Sequence, residues 1–230
     1  MLFPDFWKLV NWRISRLWAK GEREASIRVA ERYARRRPSD PWAWILWGGW
    51  LTHATRYDEA EAVFREALEI HPESVELAYE FADSLLRKSK VQDARPFLEK
   101  ALESHPESPL PYLGLISVAK RDGDPRRALV LADQAARRIA PDDYKKHFAL
   151  AQRLVGVPER RSQFEYHLRT ALNGMRGHAM PHMLLAAFVE NTDRAEATRH
   201  LAAGRRLWRG PDFDGTMDEI RRRLHAAQGG

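Results

Sequence analysis

The sequence predicts an all-α fold. We read it as a right-handed α-solenoid of antiparallel helix pairs, with about five repeat units between an N-terminal helix pair and a C-terminal capping helix. Three observations predict this. His71-Pro72-Glu73-Ser74 recurs as His105-Pro106-Glu107-Ser108 with a period of 34, and Ala67-Leu68 and Ala101-Leu102 keep the same register. Small residues recur at matching places, as helix axes that cross closely require. No window shows the strict alternation of a half-buried strand.

The N-terminal pair is expected over residues 5–20 and 22–37, parted at Lys20-Gly21. Its second helix carries Ala25-x3-Val29 and stops before Pro38, so it looks like the second helix of a repeat. The first departs: by that register Arg13 and Arg16 fall where apolar residues belong. Phe6, Trp7, Val10, Ile14, Leu17 and Trp18 still line one face, while Trp12 lies off it beside Arg13, Arg16 and Lys20. Three readings stand: a divergent first repeat packed on Trp42 to Trp50, a self-association element using Phe6, Trp7, Trp12 and Trp18, or peripheral membrane contact.

The units follow at 41–74, 75–108, 109–144, 145–178 and 179–211 within a solenoid of 39–211, after an N-terminal segment of 1–38. The first reads Trp44-x2-Trp47-Gly48-x2-Leu51, then Ala60-x3-Phe64-x2-Ala67, closed by Pro72. The second reads Ala78-x2-Phe81-Ala82-x2-Leu85, then Ala94-x3-Leu98-x2-Ala101 and Pro106. The third begins at Tyr112 and the two weaker copies at Phe148 and His182, with Pro141 and Pro211 as later stops. Gly48, Ala82 and Ala186 are the small residues at the crossings, and polar turns such as Thr55-Arg56-Tyr57-Asp58 join the helices. Over 212–230, Phe213, Met217, Ile220, Leu224 and Ala227 step by three and four, which makes the capping helix; Gln228-Gly229-Gly230 should fray.

This pattern resembles the tetratricopeptide repeat, Trp-x2-Leu-Gly-x2-Tyr, then Ala-x3-Phe, then Pro, over about 40–211. The resemblance implies a non-enzymatic scaffold or adaptor of bacterial type. A protein partner, a peptide or amphipathic helix, would lie in a concave groove lined by repeat positions 2, 5, 9 and 12 of each first helix. In this register the groove comprises Trp42, Ile45 and Thr52; Glu76, Tyr79 and Asp83; Leu110, Leu113, Ser117 and Lys120; Lys146 and Arg153; and Met180 and Met183. Gly49, Leu86, Ala149, Gly156, Ala187 and Glu190 complete the same positions. Some family members hold a carboxylate through Lys and Asn. Ile45 and Gly49 occupy those places here, so that clamp is not carried over.

The 230 residues are 44% apolar and 30% charged, which excludes a disordered or collagen-like chain. No stretch approaches the ~18 apolar residues of a membrane-spanning helix, and Pro4, Asp5 and Lys8 interrupt any leader pattern. A cytoplasmic protein is expected. Without cysteine there is no disulfide, no thiolate nucleophile and no Cys-bound zinc or iron–sulfur cluster. His178 and His182 have a metal-compatible spacing but lack a third ligand, no Gly-rich phosphate loop occurs, and the Ser residues lack a His–acid pair. No catalytic residue, metal or cofactor is expected.

Charge is segregated: residues 1–52 carry ten basic and five acidic side chains, 53–109 seven and thirteen, and 110–230 twenty-one and fourteen. Such a field favours a homo-oligomer joined head to tail, or an anionic partner. Nucleic-acid binding through Arg35-Arg36-Arg37, Arg205, Arg206 and Arg209, and Arg221-Arg222-Arg223 is disfavoured, because cations at helix C-termini also complement the helix dipole.

Overall fold

A computed structural model describes residues 6–155, 157–210 and 212–225. The expectations for Pro4, Asp5, Gly156, Pro211 and residues 226–230 lie outside them, as does the side chain of Phe6. The described residues form thirteen α-helices and a single 3-10 turn, with no strand among them. The chain divides into two compact units, Met1–Ala128 and Leu129–Gly230.

Unit 1 holds α1 (Phe6–Ala19), α2 (Arg23–Arg36), α3 (Pro41–His53), α4 (Tyr57–Ile70), α5 (Val75–Arg87), α6 (Val91–Ser104) and α7 (Pro109–Arg121); α8 (Pro125–Ala136) begins in it. The repeated tetrapeptide is a two-helix cap. His71 and His105 end α4 and α6, and Ser74 and Ser108 start α5 and α7 by accepting from the amides of Leu77 and Leu110. Asp40 does the same for α3, one full period before Ser74. The backbone repeats as well. Positive φ recurs at Gly21, Thr55, Ser89 and Gly123, each one full period after the last, where the first helix of a pair turns into the second.

That series begins in the N-terminal pair, so α1 and α2 turn as the later pairs do. Ile14 of α1 is fully buried, Trp7 stacks on Trp42 at 6.3 Å, and Trp18 lies 5.3 Å from Trp50 and 4.8 Å from His53. The indole of Trp50 donates to Asn11 Oδ1 at 3.1 Å. The inner face of α1 is thus spent on its own unit.

The core of unit 1 is built on close crossings. A Cβ added at Gly48 would stand 2.5 Å from the ring of Phe64, and one at Gly114 would stand 2.4 Å from Leu98. Trp44, Phe64, Phe81, Leu85, Leu98 and Leu115 fill the space around them at 2% exposure or less. Ion pairs also link residues of neighbouring repeats, among them Arg56–Glu24 at 2.9 Å, Lys90–Glu61 at 2.7 Å and Arg35–Glu66.

Unit 2 comprises the rest of α8, then α9 (Tyr144–Leu154), the turn Pro158–Arg160, α10 (Arg161–Gly174), α11 (Ala179–Val189), α12 (Arg194–Leu207) and α13 (Phe213–His225). Gly174, expected in an inter-repeat loop, closes α10 instead, with Tyr144 where a Cβ would go. Phe213, Met217 and Ile220 of α13 are buried, and the helix packs on α11.

Candidate interaction surface

The first helices of unit 1 place the groove positions unevenly. On α3, Trp42 is 52% exposed, while Ile45 and Thr52 are half-buried; Thr52 Oγ1 donates to the Gly48 carbonyl and shares a 2.9 Å hydrogen bond with Ser84 Oγ. On α5, Glu76, Tyr79 and Asp83 are half-buried, and Asp83 accepts from Arg87 Nε at 2.8 Å. On α7, Leu110 and Ser117 are half-buried and Lys120 is exposed, but Leu113 is wholly buried.

In unit 2, Lys146 is paired with Asp143, and Arg153 Nη1 donates to the Ala149 carbonyl at 3.0 Å. Met180 is half-buried and Met183 wholly buried, its Cγ 2.9 Å from where a Cβ on Gly204 would lie. Leu113 and Met183, expected on a groove wall, are therefore packing residues. The register marks the face of a helix, but at those turns a neighbouring helix occupies it.

On α1, Trp7 and Trp18 are engaged as described, whereas Trp12 is 57% exposed with the Arg16 guanidinium 5.4 Å over its ring, and Leu9 is 59% exposed. The arginine clusters are largely tied down. Arg35 lies over Trp44 and Trp47 and pairs with Glu66; Arg205 pairs with Asp214 at 2.5 Å; Arg221 binds Glu190 and Asp218; Arg222 and Arg223 bind Glu219.

The histidines hold what sequence reading missed. His182 does not meet His178: its Nδ1 lies 2.8 Å from Nδ1 of His200, and its Nε2 lies 3.1 Å from the Arg176 carbonyl. One repeat earlier, His147 and His167 face each other with Nδ1 atoms 2.7 Å apart, both 3% exposed. Burial lowers the pKa of His167 to about 4, helped by His147, and burial also lowers His147 and His200. The residues of each pair lie 18 to 20 positions apart on two helices, so no local spacing announces them. Among the described residues no group of three or more His, Asp or Glu could hold a metal ion, and no helix is long and apolar enough to cross a membrane.

Two tetratricopeptide-repeat family models match, one over residues 13–75 and one over 51–113. Residues 13–113 thus carry tetratricopeptide repeats, and the described residues have the all-α repeat fold; proteins with such repeats bind protein partners and are generally non-enzymatic. A thermophilic repeat protein of Thermus thermophilus is similar at 20% identity, covering 82% of this chain and 99% of its own, with a TM-score of 0.59. A tetratricopeptide repeat protein of Parabacteroides merdae is similar at 12% identity over 96% of this chain and 85% of its own, with a TM-score of 0.63. The Cut9–Hcn1 hetero-tetramer of the APC/C matches at 14% identity over 95% of this chain but 42% of its own, with a TM-score of 0.67. These likenesses show the fold. No curated protein sequence matches.

Proposed function

We propose that the protein is a scaffold that receives an apolar-anchored segment of a protein partner along the first helices of unit 1. The observation that carries this reading is Trp42: it sits at a groove position, is 52% exposed, and stacks on Trp7, so half of a large rigid ring is offered to a partner. Large aromatic anchors of this kind dominate interface energetics. Half-buried Ile45, Tyr79 and Leu110 continue the apolar positions, and Glu76 and Asp83 add negative charge that suits a segment with basic residues. Leu86 and Leu113 are buried and take no part.

The test is affinity capture from the native cell with the full chain and with Trp42→Ala plus Tyr79→Ala. The double variant should keep its melting temperature within about 5 °C, because both rings are partly exposed, and lose the captured partner. Equal recovery by both proteins would remove the groove from the reading. The cytoplasmic placement belongs to the same proposal and is read by fractionation of that cell.

A second reading is favoured by one further observation. The described α1 contains Lys8, Arg13 and Arg16 and no acidic residue, and its outer face exposes Leu9 and Trp12. Such a face suits peripheral contact with an anionic bilayer. Sedimentation with vesicles of phosphatidylserine and phosphatidylcholine checks it: binding should fall with salt and in Trp12→Ala, and no sedimentation at low salt would discard it.

A further inference from the structure

In α3 and α7 the fourth residue of the repeat's first helix does the same job. Trp44 Nε1 donates to the Pro38 carbonyl at 3.0 Å, and the Tyr112 hydroxyl donates to the Pro106 carbonyl at 3.0 Å. Each ring fills the space between its own helix pair and the turn before it, and each ties its polar edge to a proline six residues back. Ala78 stands at the same place in the repeat between them, midway along the sequence from one to the other. A methyl group cannot do that job.

The missing ring leaves a cavity of about 110 Å³, lined by Leu68, Pro72, Ala78, Phe97, Ala101 and His105. Nδ1 of His105 is buried without a hydrogen-bond partner among the described residues. The neighbouring repeats therefore show what this space accepts: an aromatic ring with one polar hydrogen, donated to a proline carbonyl.

We infer that this cavity is a docking site for one tyrosine side chain of a basic segment in a protein partner. The ring would stand where those of Trp44 and Tyr112 stand in their own repeats. Its hydroxyl would donate to Pro72 and accept from His105 Nδ1–H. Charge selects the surroundings of that tyrosine. Glu73 and Lys100 line the cavity, Glu69 and Glu103 are exposed near the ends of α4 and α6, Glu107 is exposed on the turn after α6, and residues 53–109 carry thirteen acidic against seven basic side chains. A segment with lysine or arginine beside the tyrosine matches this field. None of the groove positions of α3, α5 or α7 lines the cavity, although Leu110 packs against Val75, Ala78 and Ala101, which do.

The experiment titrates the full chain with p-cresol, the tyrosine side-chain analogue, and with a short peptide holding one tyrosine between lysines, following backbone amide resonances. Saturable shifts centred on Ala78, Ala101 and Ser104 are expected for both, and a peptide with alanine for tyrosine should bind at least about tenfold more weakly. Ala78→Tyr should fill the space from within, raise the melting temperature and weaken both probes at least about tenfold. If that variant does not fold, Ala78→Leu occupies part of the same volume and should weaken p-cresol measurably. A packing defect only would show as stabilisation by Ala78→Tyr with no saturable shift in the parent chain, and that result overturns the site. Unchanged peptide binding by Ala78→Tyr overturns it equally.

Discussion

The two units solve the same packing problem with different chemistry at the same place. In α3 and α7 of unit 1 the fourth residue is an aromatic with a donor, Trp44 or Tyr112, anchored to a proline carbonyl; in α5 it is Ala78, beside a cavity, and in α1 it is exposed Leu9. In unit 2 the fourth residues are His147 of α9, which faces His167 and is followed by half-buried Phe148 at the repeat position itself, and His182 of α11, which bonds to His200 and to the Arg176 carbonyl. Unit 2 closes its helix pairs with imidazole against imidazole. The difference teaches that a repeat pattern can survive a change of glue, and that the substitute brings a dependence on protons that an indole or phenol does not.

The strongest way to break this comparison is to remove the rings. Trp44 is 1% exposed, so Trp44→Ala should cost about 3–5 kcal/mol in urea unfolding, from lost burial, the cavity left behind and the lost indole hydrogen bond to the Pro38 carbonyl, which keeps His71 Nε2 at 2.7 Å. Phe148→Ala should cost clearly less, since that ring already meets solvent. Equal losses would mean that this repeat position does not distinguish the units. Gly48→Leu sharpens the same point. Its side chain would collide with buried Phe64, and a loss of about 3 kcal/mol is expected by the same measurement. An unchanged melting temperature there would refute the helix register.

Acid should separate the units next. In a neutral histidine pair one Nδ1 donates and the other accepts; a second proton sets N–H against N–H at 2.7 or 2.8 Å. Burial lowers His167 to about 4 and also lowers His147 and His200, while Asp143 beside His147 and Glu196 beside His200 oppose the shift only in part. The sign follows. The unfolded chain takes up these protons below about pH 6.5, before the folded chain does. The histidine contribution is therefore full above that pH, falls between about 6.5 and 4, and levels off below, with His167 alone responsible for on the order of 3 kcal/mol. Glu59, Glu61 and Glu196, held below the usual carboxylate range chiefly by basic partners, act only from about pH 4.5 downward. His53 of α3, lowered by burial and by Arg87 and Arg23, adds a loss of the same sign in unit 1, so hydrogen exchange at pH 7.5 and 5.0 should show α9 to α12 loosening while α4 to α6 hold. In His167→Asn the amide can turn its oxygen to a protonated His147, so the pH dependence should flatten. A parent chain equally stable at pH 7 and 5 would remove the proton-sensitive account of unit 2.

Most of this fold was legible in the sequence, and the reason is physical. Each repeat meets almost only its neighbours, so local grammar sets the architecture: Asp40, Ser74 and Ser108 cap first helices, Gly48 permits a crossing, and the stripe of Phe213, Met217 and Ile220 marks the last helix. The site was less legible. Repeat register says which face of a helix a residue occupies, but not whether another helix covers it, which is why Leu113 and Met183 turned out to be buried. The cavity beside Ala78 was hidden because a missing ring leaves the period of the pattern intact. The histidine pairs join side chains across two helices, where no spacing rule reaches.

The smallest expected effect probes the turns that both sequence and backbone repeat. Thr55 and Ser89 adopt φ of 60° and 62°, the left-handed region, at the place where Gly21 and Gly123 adopt 81° and 75°. A side chain there costs about 1–2 kcal/mol through Cβ and carbonyl crowding, and β-branched Thr55 is the worse case. Thr55→Gly relieves that strain but adds about 0.5–1 kcal/mol of unfolded-state freedom and loses the bond from Thr55 Oγ1 to the Ala54 carbonyl. The balance is a gain under about 1 kcal/mol, or ~2–4 °C in melting temperature. Gly123→Thr should lose a similar amount, since nothing lies within 4 Å of a Cβ there and backbone strain acts alone. Because the two turns are separated by two full repeats and share no partner, the two changes combined should cancel to within about 0.5 kcal/mol. A destabilised Thr55→Gly would show that the threonine is held there by its contacts, and that the turn is not simply a glycine position filled at a cost.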